Sequence, residues 1–190
     1  MINKENYTLS KEINLLEDNK LALKLNIHAL IALLFFILFF IGTSIWITPI
    51  NQYSFWDNLG FIRPILFIGV FFLIIVIHEL IHGLFMKLFN KKGKVIFGFK
   101  NGMAYAASPG SLYSRGQFFW ISLSPFTLIT TALFLLYYFG GISHSLFISL
   151  AAIHASSCIG DFYWGLLIIK ATKFSLIEDT DVGIKIYQKR

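Results

Sequence analysis

The chain has little charge, a single cysteine and almost no basic side chain within its apolar runs. Of its 190 residues, 14% are charged, 56% hydrophobic and 17% aromatic. Soluble domains carry about a quarter charged residues. The deficit excludes an ordinary water-soluble core and, with a mean hydropathy of +0.70, points to a bilayer. The one cysteine, Cys158, excludes an internal disulfide and a cysteine-based zinc site. The first twenty-odd residues are polar and of mixed charge, so no cleavable signal peptide is expected. The formal net charge of +6 would suggest nucleic acid in a soluble protein. In a membrane protein it is the cytoplasmic bias of Lys and Arg, and no nucleic-acid partner is expected.

Four long apolar runs are present, near 27–47, 61–90, 118–139 and 145–169. Each is long enough for the roughly 30 Å hydrocarbon layer. Between the second and third, Lys94 to Ala107 reads as a β-hairpin around Asn101-Gly102, a favoured pair for a tight two-residue turn. Tyr53, Phe55 and Trp56 suit an interfacial aromatic belt. In the N-terminal tail, Leu9, Ile13, Leu16 and Leu23 suggest a short amphipathic helix on the membrane surface, or else a disordered tail. A short strand is expected at Val182 to Tyr187. The expected fold is therefore an all-α membrane protein, one domain over 1–190, with four transmembrane helices and a membrane-associated hairpin between the second and third. With four spans, 15 of the 16 Lys and Arg fall on one side and only Arg63 on the other. That places the tails 1–26 and 171–190 in the cytoplasm of a multi-pass protein.

Within the second run stands His78-Glu79-Leu80-Ile81-His82. On a helix, two histidines four residues apart share a face one turn apart, as a tetrahedral zinc site requires, and the glutamate can take a proton from a metal-activated water. A carboxylate at mid-membrane costs about 2.5–3.5 kcal/mol on insertion scales, and no Lys or Arg lies between Arg63 and Lys87, at the two ends of this run, to pair with Glu79. Catalytic zinc usually takes a third protein ligand, for which Asp161 and His154 compete. His78 lies nine residues before Lys87, and Asp161 nine before Lys170. Both are thus about 13 Å from the same boundary if the helices are regular, while His154 lies about 10 Å further out. Depth favours Asp161. His154 remains an oxyanion or substrate contact, or a packing residue. Ser156 and Ser157 read as packing residues or outer donors, and Gly160 as a point of close backbone approach. Pro125, in the third run, frees a backbone carbonyl and can bend its helix. The hairpin offers a strand edge on which an extended substrate could be held by β-addition.

The chain resembles the site-2 protease group of intramembrane zinc metallopeptidases, and within it the small bacterial putative zincin peptidase family. The matching stretches are His78 to Gly83, Phe97-Gly98-Phe99 with Ala104-Tyr105-Ala106, Leu123-Ser124-Pro125, Gly160-Asp161, and the tail Glu178 to Tyr187. The resemblance covers roughly residues 60 to 187. It implies zinc held by His78, His82 and Asp161, with Glu79 catalytic, in a bacterial cell membrane. Around Asp161 the chain has Ile159-Gly160-Asp161-Phe162, where site-2 proteases often have an Asn-Pro-Asp-Gly-like segment. The expected activity is hydrolysis of membrane-embedded or membrane-proximal peptides near the cytoplasmic face. The expected partners are a peptide or protein substrate and the lipid bilayer, with a homo-oligomer left open. A non-proteolytic scaffold keeping the fold would have no need of Glu79. A metal transporter would want ligands at several depths.

Overall fold

A computed structural model describes residues 6–15, 17–47, 49–50, 56, 59–100, 102–180 and 183–189. Leu16, Tyr53, Phe55, Asn101 and Val182 lie outside the described residues. Strand β1 (Tyr7–Asn14) is followed by helix α1 (Asn19–Trp46), a 3-10 turn (Gly60–Ile62) and α2 (Arg63–Phe89). The hairpin strands β2 (Ile96–Lys100) and β3 (Met103–Ala107) come next, then β4 (Tyr113–Ser114) and α3 (Arg115–Tyr138). The chain closes with α4 (His144–Ser157), α5 (Ile159–Lys170), β5 (Leu176–Thr180) and β6 (Gly183–Lys189).

Among the described residues, three helices are long and apolar enough to cross a membrane: Asn19–Trp46, Gly60–Phe89 and Arg115–Tyr138. A fourth candidate is the pair α4 and α5, bent by 46° at Cys158. Their apolar residues are not confined to one stripe. Among the 28 residues of α1 only Phe40 is buried, and Leu30, Leu34, Phe35 and Leu38 are all exposed. Apolar surface on this scale is left bare by the protein when lipid covers it. These features make the chain a multi-pass membrane protein by helix length and composition.

The fold is mostly helical, but the all-α expectation is corrected by two small sheets. One is the hairpin, with β2 and β3 antiparallel and Lys100 opposite Met103. The other has four strands in the order β1-β6-β5-β4, every pair antiparallel. The N-terminal segment is a strand, not an amphipathic helix. Tyr7, Leu9 and Ile13 fit a two-residue period as well as a helical one, and pairing with β6, nearly the whole chain away, decides between them.

The chain divides into two compact units. The first comprises Met1–Leu25, Ile77–Pro125 and Gly160–Arg190. Its core joins Met86, Tyr113, Phe118, Ile121, Ile168, Ile177, Ile184 and Ile186. One face of the four-stranded sheet thus packs on residues from α2, α3 and α5. The Glu178 carboxylate accepts from the Gly110 amide and the Tyr187 hydroxyl, both at 2.8 Å, tying the segment after the hairpin to the sheet.

The second unit comprises Asn26–Val76 and Phe126–Ile159. Phe147 stacks on Tyr137 at 4.8 Å and meets Phe40 edge-on at 5.5 Å. Ser143 caps α4, accepting from the Leu146 amide. At the other end of α4, the Ser156 and Ser157 hydroxyls donate to the carbonyls of Ile153 and His154 at 2.8 and 2.7 Å. These serines serve their own helix, a use that loosens the ladder, and the helix ends there.

Candidate metal centre

The site is assembled within the first unit from α2 and α5. His78 and His82 lie one turn apart on α2, with Nε2 atoms 3.1 Å from each other. Asp161 sits in the first turn of α5, where the helix N-terminus favours a carboxylate. Its Oδ2 lies 3.3 Å from His78 Nε2 and its Oδ1 3.3 Å from His82 Nε2. His82 is buried, while His78 and Asp161 are half-buried. The bend at Cys158 starts α5 just before Asp161, so a regular fourth helix is not what brings the aspartate to α2. The depth count that set His154 aside assumed that regular helix and no longer applies; the case for Asp161 rests on the distances.

This triangle fits a metal ion. Zinc bonds of about 2.0–2.1 Å in a tetrahedron separate neighbouring ligand atoms by about 3.3 Å. The donor set, two imidazoles and a carboxylate, is also zinc chemistry. A second observation concerns the proton on His82. Its Nδ1 lies 2.8 Å from the Ile121 carbonyl oxygen, which can only accept, so Nδ1 carries a proton. In the neutral ring Nε2 then presents a lone pair to the Asp161 carboxylate. That arrangement is repulsive until a proton or a metal cation lies between them. His78, His82 and Asp161 could therefore hold one ion together.

Glu79, half-buried on the same helix, is electrostatically coupled to both histidines, to Asp161 and to the Ala106 backbone. The hairpin register explains the coupling to Ala106. Across a two-residue turn Lys100 and Met103 are a hydrogen-bonded pair, and bonded pairs then alternate along the strands. Ala104 and Ala106 therefore turn their N–H and C=O groups away from β2, on the edge that meets Glu79. The hairpin is seated by Gly83, next to His82. A Cβ on Gly83 would lie 2.5 Å from Cζ of Phe97 and 3.3 Å from Val95 Cγ1. Gly98 likewise leaves room for the ring of Tyr105, its cross-strand partner. Gly160, by contrast, is not a point of close approach, since an added Cβ there meets nothing within 4 Å.

His154 lies buried in the second unit, its Nε2 3.7 Å from Cys158 Sγ. Two contributors were not read from the sequence. One is the Ile121 carbonyl that holds His82. The other is Asp179. Strand alternation places it on the same face of β5 as the core residue Ile177, opposite Ile184 of β6. Burial pushes its carboxyl well above the ordinary carboxylate range; His82 opposes this, and Asp161 and Glu79 reinforce it. An acid two residues from a buried isoleucine on a strand is the signal that was available.

A family model described as putative zincin peptidase matches residues 71–176. The match covers 106 of the 190 residues and includes His78, Glu79, His82, the hairpin, Pro125 and Asp161. Neither the curated proteins nor the solved structures provide a match. The family's description implies zinc, which the donor set suits, and on the extent of this match the chain belongs to the putative zincin peptidase family.

Proposed function

We propose that the protein is a zinc-dependent intramembrane endopeptidase of the site-2 protease kind. It hydrolyses membrane-embedded or membrane-proximal peptides near the cytoplasmic face of a bacterial cell membrane, with both termini in the cytoplasm. The observation that carries this reading is the triangle of His78 Nε2, His82 Nε2 and the Asp161 carboxylate, with edges of 3.1–3.3 Å. Its position beside a carboxylate base supports hydrolysis over metal storage. Zinc bound by His78, His82 and Asp161 supplies Lewis acidity, which lowers the pKa of a water and polarises a carbonyl.

The chain's own residues supply the rest. Glu79 is the general base; its carboxylate takes the proton of the attacking water and returns it to the leaving amine. The Ala106 amide orients that carboxylate. The outward N–H and C=O of Ala104 and the carbonyl of Ala106 receive an extended substrate strand, which presents its backbone to the site by β-addition. Extension is required because a helical substrate's carbonyls are already bonded.

The test is zinc content and cleavage of a membrane peptide by the purified protein in detergent, wild type against Glu79→Gln. One zinc per chain in both proteins, with cleavage only in the wild type, is expected. Zinc without Glu79-dependent cleavage favours a non-proteolytic scaffold, and absence of zinc removes the metal reading altogether.

A further inference from the structure

Helix α3 carries Pro125 in its interior. In an α-helix the N–H of each residue bonds the carbonyl four residues earlier. Proline has no N–H, so the carbonyl left without its helical partner is that of Ile121. Ile121 is 2% exposed, too enclosed for water to serve its carbonyl, and a buried unsatisfied carbonyl is costly. Two side chains reach it instead. Ser124 Oγ donates to it at 3.2 Å, and His82 Nδ1 donates at 2.8 Å. The orphaned carbonyl and the carbonyl that holds the histidine are the same atom.

We infer that Pro125 is a positioning residue for the metal centre: by withholding an N–H, it leaves the Ile121 carbonyl to hold the Nδ1 proton of His82 and turn Nε2 toward His78 and Asp161. A histidine ligand depends on such a partner for its tautomer and ring orientation. Here the partner is made by a sequence feature forty-three residues downstream of the ligand, on a different helix. A kink-only role for Pro125 would not require the freed carbonyl to be the one His82 uses. Ser124 occupies the carbonyl's second lone pair and is secondary, since its hydroxyl can also turn elsewhere.

The inference rests on the metal-site reading, and the experiment separates the two. Position 125 is changed to alanine, which restores the N–H. In a second protein the same position carries lactic acid, whose ester linkage has no N–H and no proline ring. Full-length proteins in detergent are labelled with nitrogen-15 in the histidine rings. His82 is assigned by loss of its signals in His82→Gln, and its tautomer is read in metal-free protein. Zinc affinity is measured by competition with a chelator. Pro125→Ala is expected to turn a single Nδ1–H form of His82 into a mixture and to weaken zinc by about 10–100-fold. The ester protein is expected to keep both the tautomer and the affinity within about threefold. Equal loss in the two proteins would assign the effect to the ring and overturn the inference, as would unchanged behaviour of Pro125→Ala. If Pro125→Ala does not fold, the ester protein alone decides, because loss of the Nδ1–H form there refutes the inference. Absence of zinc from the wild type would refute the metal-site reading and leave the tautomer measurement standing.

Discussion

Gly83 is the most informative position to perturb, because two opposing effects meet there. Replacing glycine by alanine within a helix gains about 0.8–1.0 kcal/mol in helix propensity. At Gly83 the new Cβ would lie 2.5 and 2.9 Å from Cζ and Cε1 of Phe97. Overpacking of this kind costs about 1–3 kcal/mol. The atoms met are the far end of a ring that is 52% exposed, so the ring can swing and the lower part of that range applies. Gly83→Ala alone should therefore change stability by about 0–1 kcal/mol. Phe97→Ala gives up roughly half the burial of a phenylalanine, about 1 kcal/mol. In the double variant the clash with Phe97 has no partner, and the propensity gain, the lost burial and the 3.3 Å approach to Val95 Cγ1 remain. The two changes should then be non-additive by about 1 kcal/mol or more, the double variant being more stable than the sum predicts. Denaturant or thermal unfolding of the four proteins in one detergent measures this. Zinc content should not change in Gly83→Ala, since the added methyl is met by the Phe97 ring on the hairpin and not by a ligand. Additivity within about 0.3 kcal/mol would show that Phe97 does not seat the hairpin on α2.

Three further outcomes follow from the same geometry. Asp161→Asn should weaken zinc by more than the roughly 10–100-fold that loss of an outer partner costs, measured by chelator competition; unchanged affinity would remove Asp161 from the ligand set. Asp179, whose carboxyl is held protonated in the fold to higher pH than in the unfolded chain, should cost stability as pH rises above the unfolded value of about 3.9, because the unfolded state then releases a proton that the fold retains. Metal-free Asp179→Asn should accordingly lose less stability than wild type between pH 4 and pH 7 in thermal unfolding, and parallel profiles would contradict the inward placement of Asp179. Reporter fusions at Asn101 and Gly141 should locate to opposite sides of the membrane, with Asn101 cytoplasmic; a shared side would refute four spans.

The histidine pair was legible because its geometry is local. Four residues on a helix put two side chains on one face whatever the rest of the chain does, and the structure sets their Nε2 atoms 3.1 Å apart. The Asn-Gly pair between two short apolar stretches was legible for the same reason, and β2 and β3 flank it. Pro125 could be read as freeing a carbonyl, but not as freeing it for His82, since nothing in the sequence says which side chain arrives at that atom. Asp161 was selected by a depth count that assumed one regular helix. The structure brings the aspartate to the histidines on a separate helix after a 46° bend.

What the sequence by itself determined is therefore the apolar runs, the one-turn spacing of His78 and His82, the carboxylate of Glu79 between them, and the missing N–H at Pro125. Each depends only on residue type and on distances within one helix or one hairpin. Only the tertiary structure decided that the N-terminal segment is a strand rather than a helix, that the fourth apolar run breaks at Cys158, that Asp179 faces inward beside Ile177, and that Ile121 meets His82. These depend on which distant segments pair, and strand pairing and buried hydrogen bonds are set by the partner's position rather than by the local pattern.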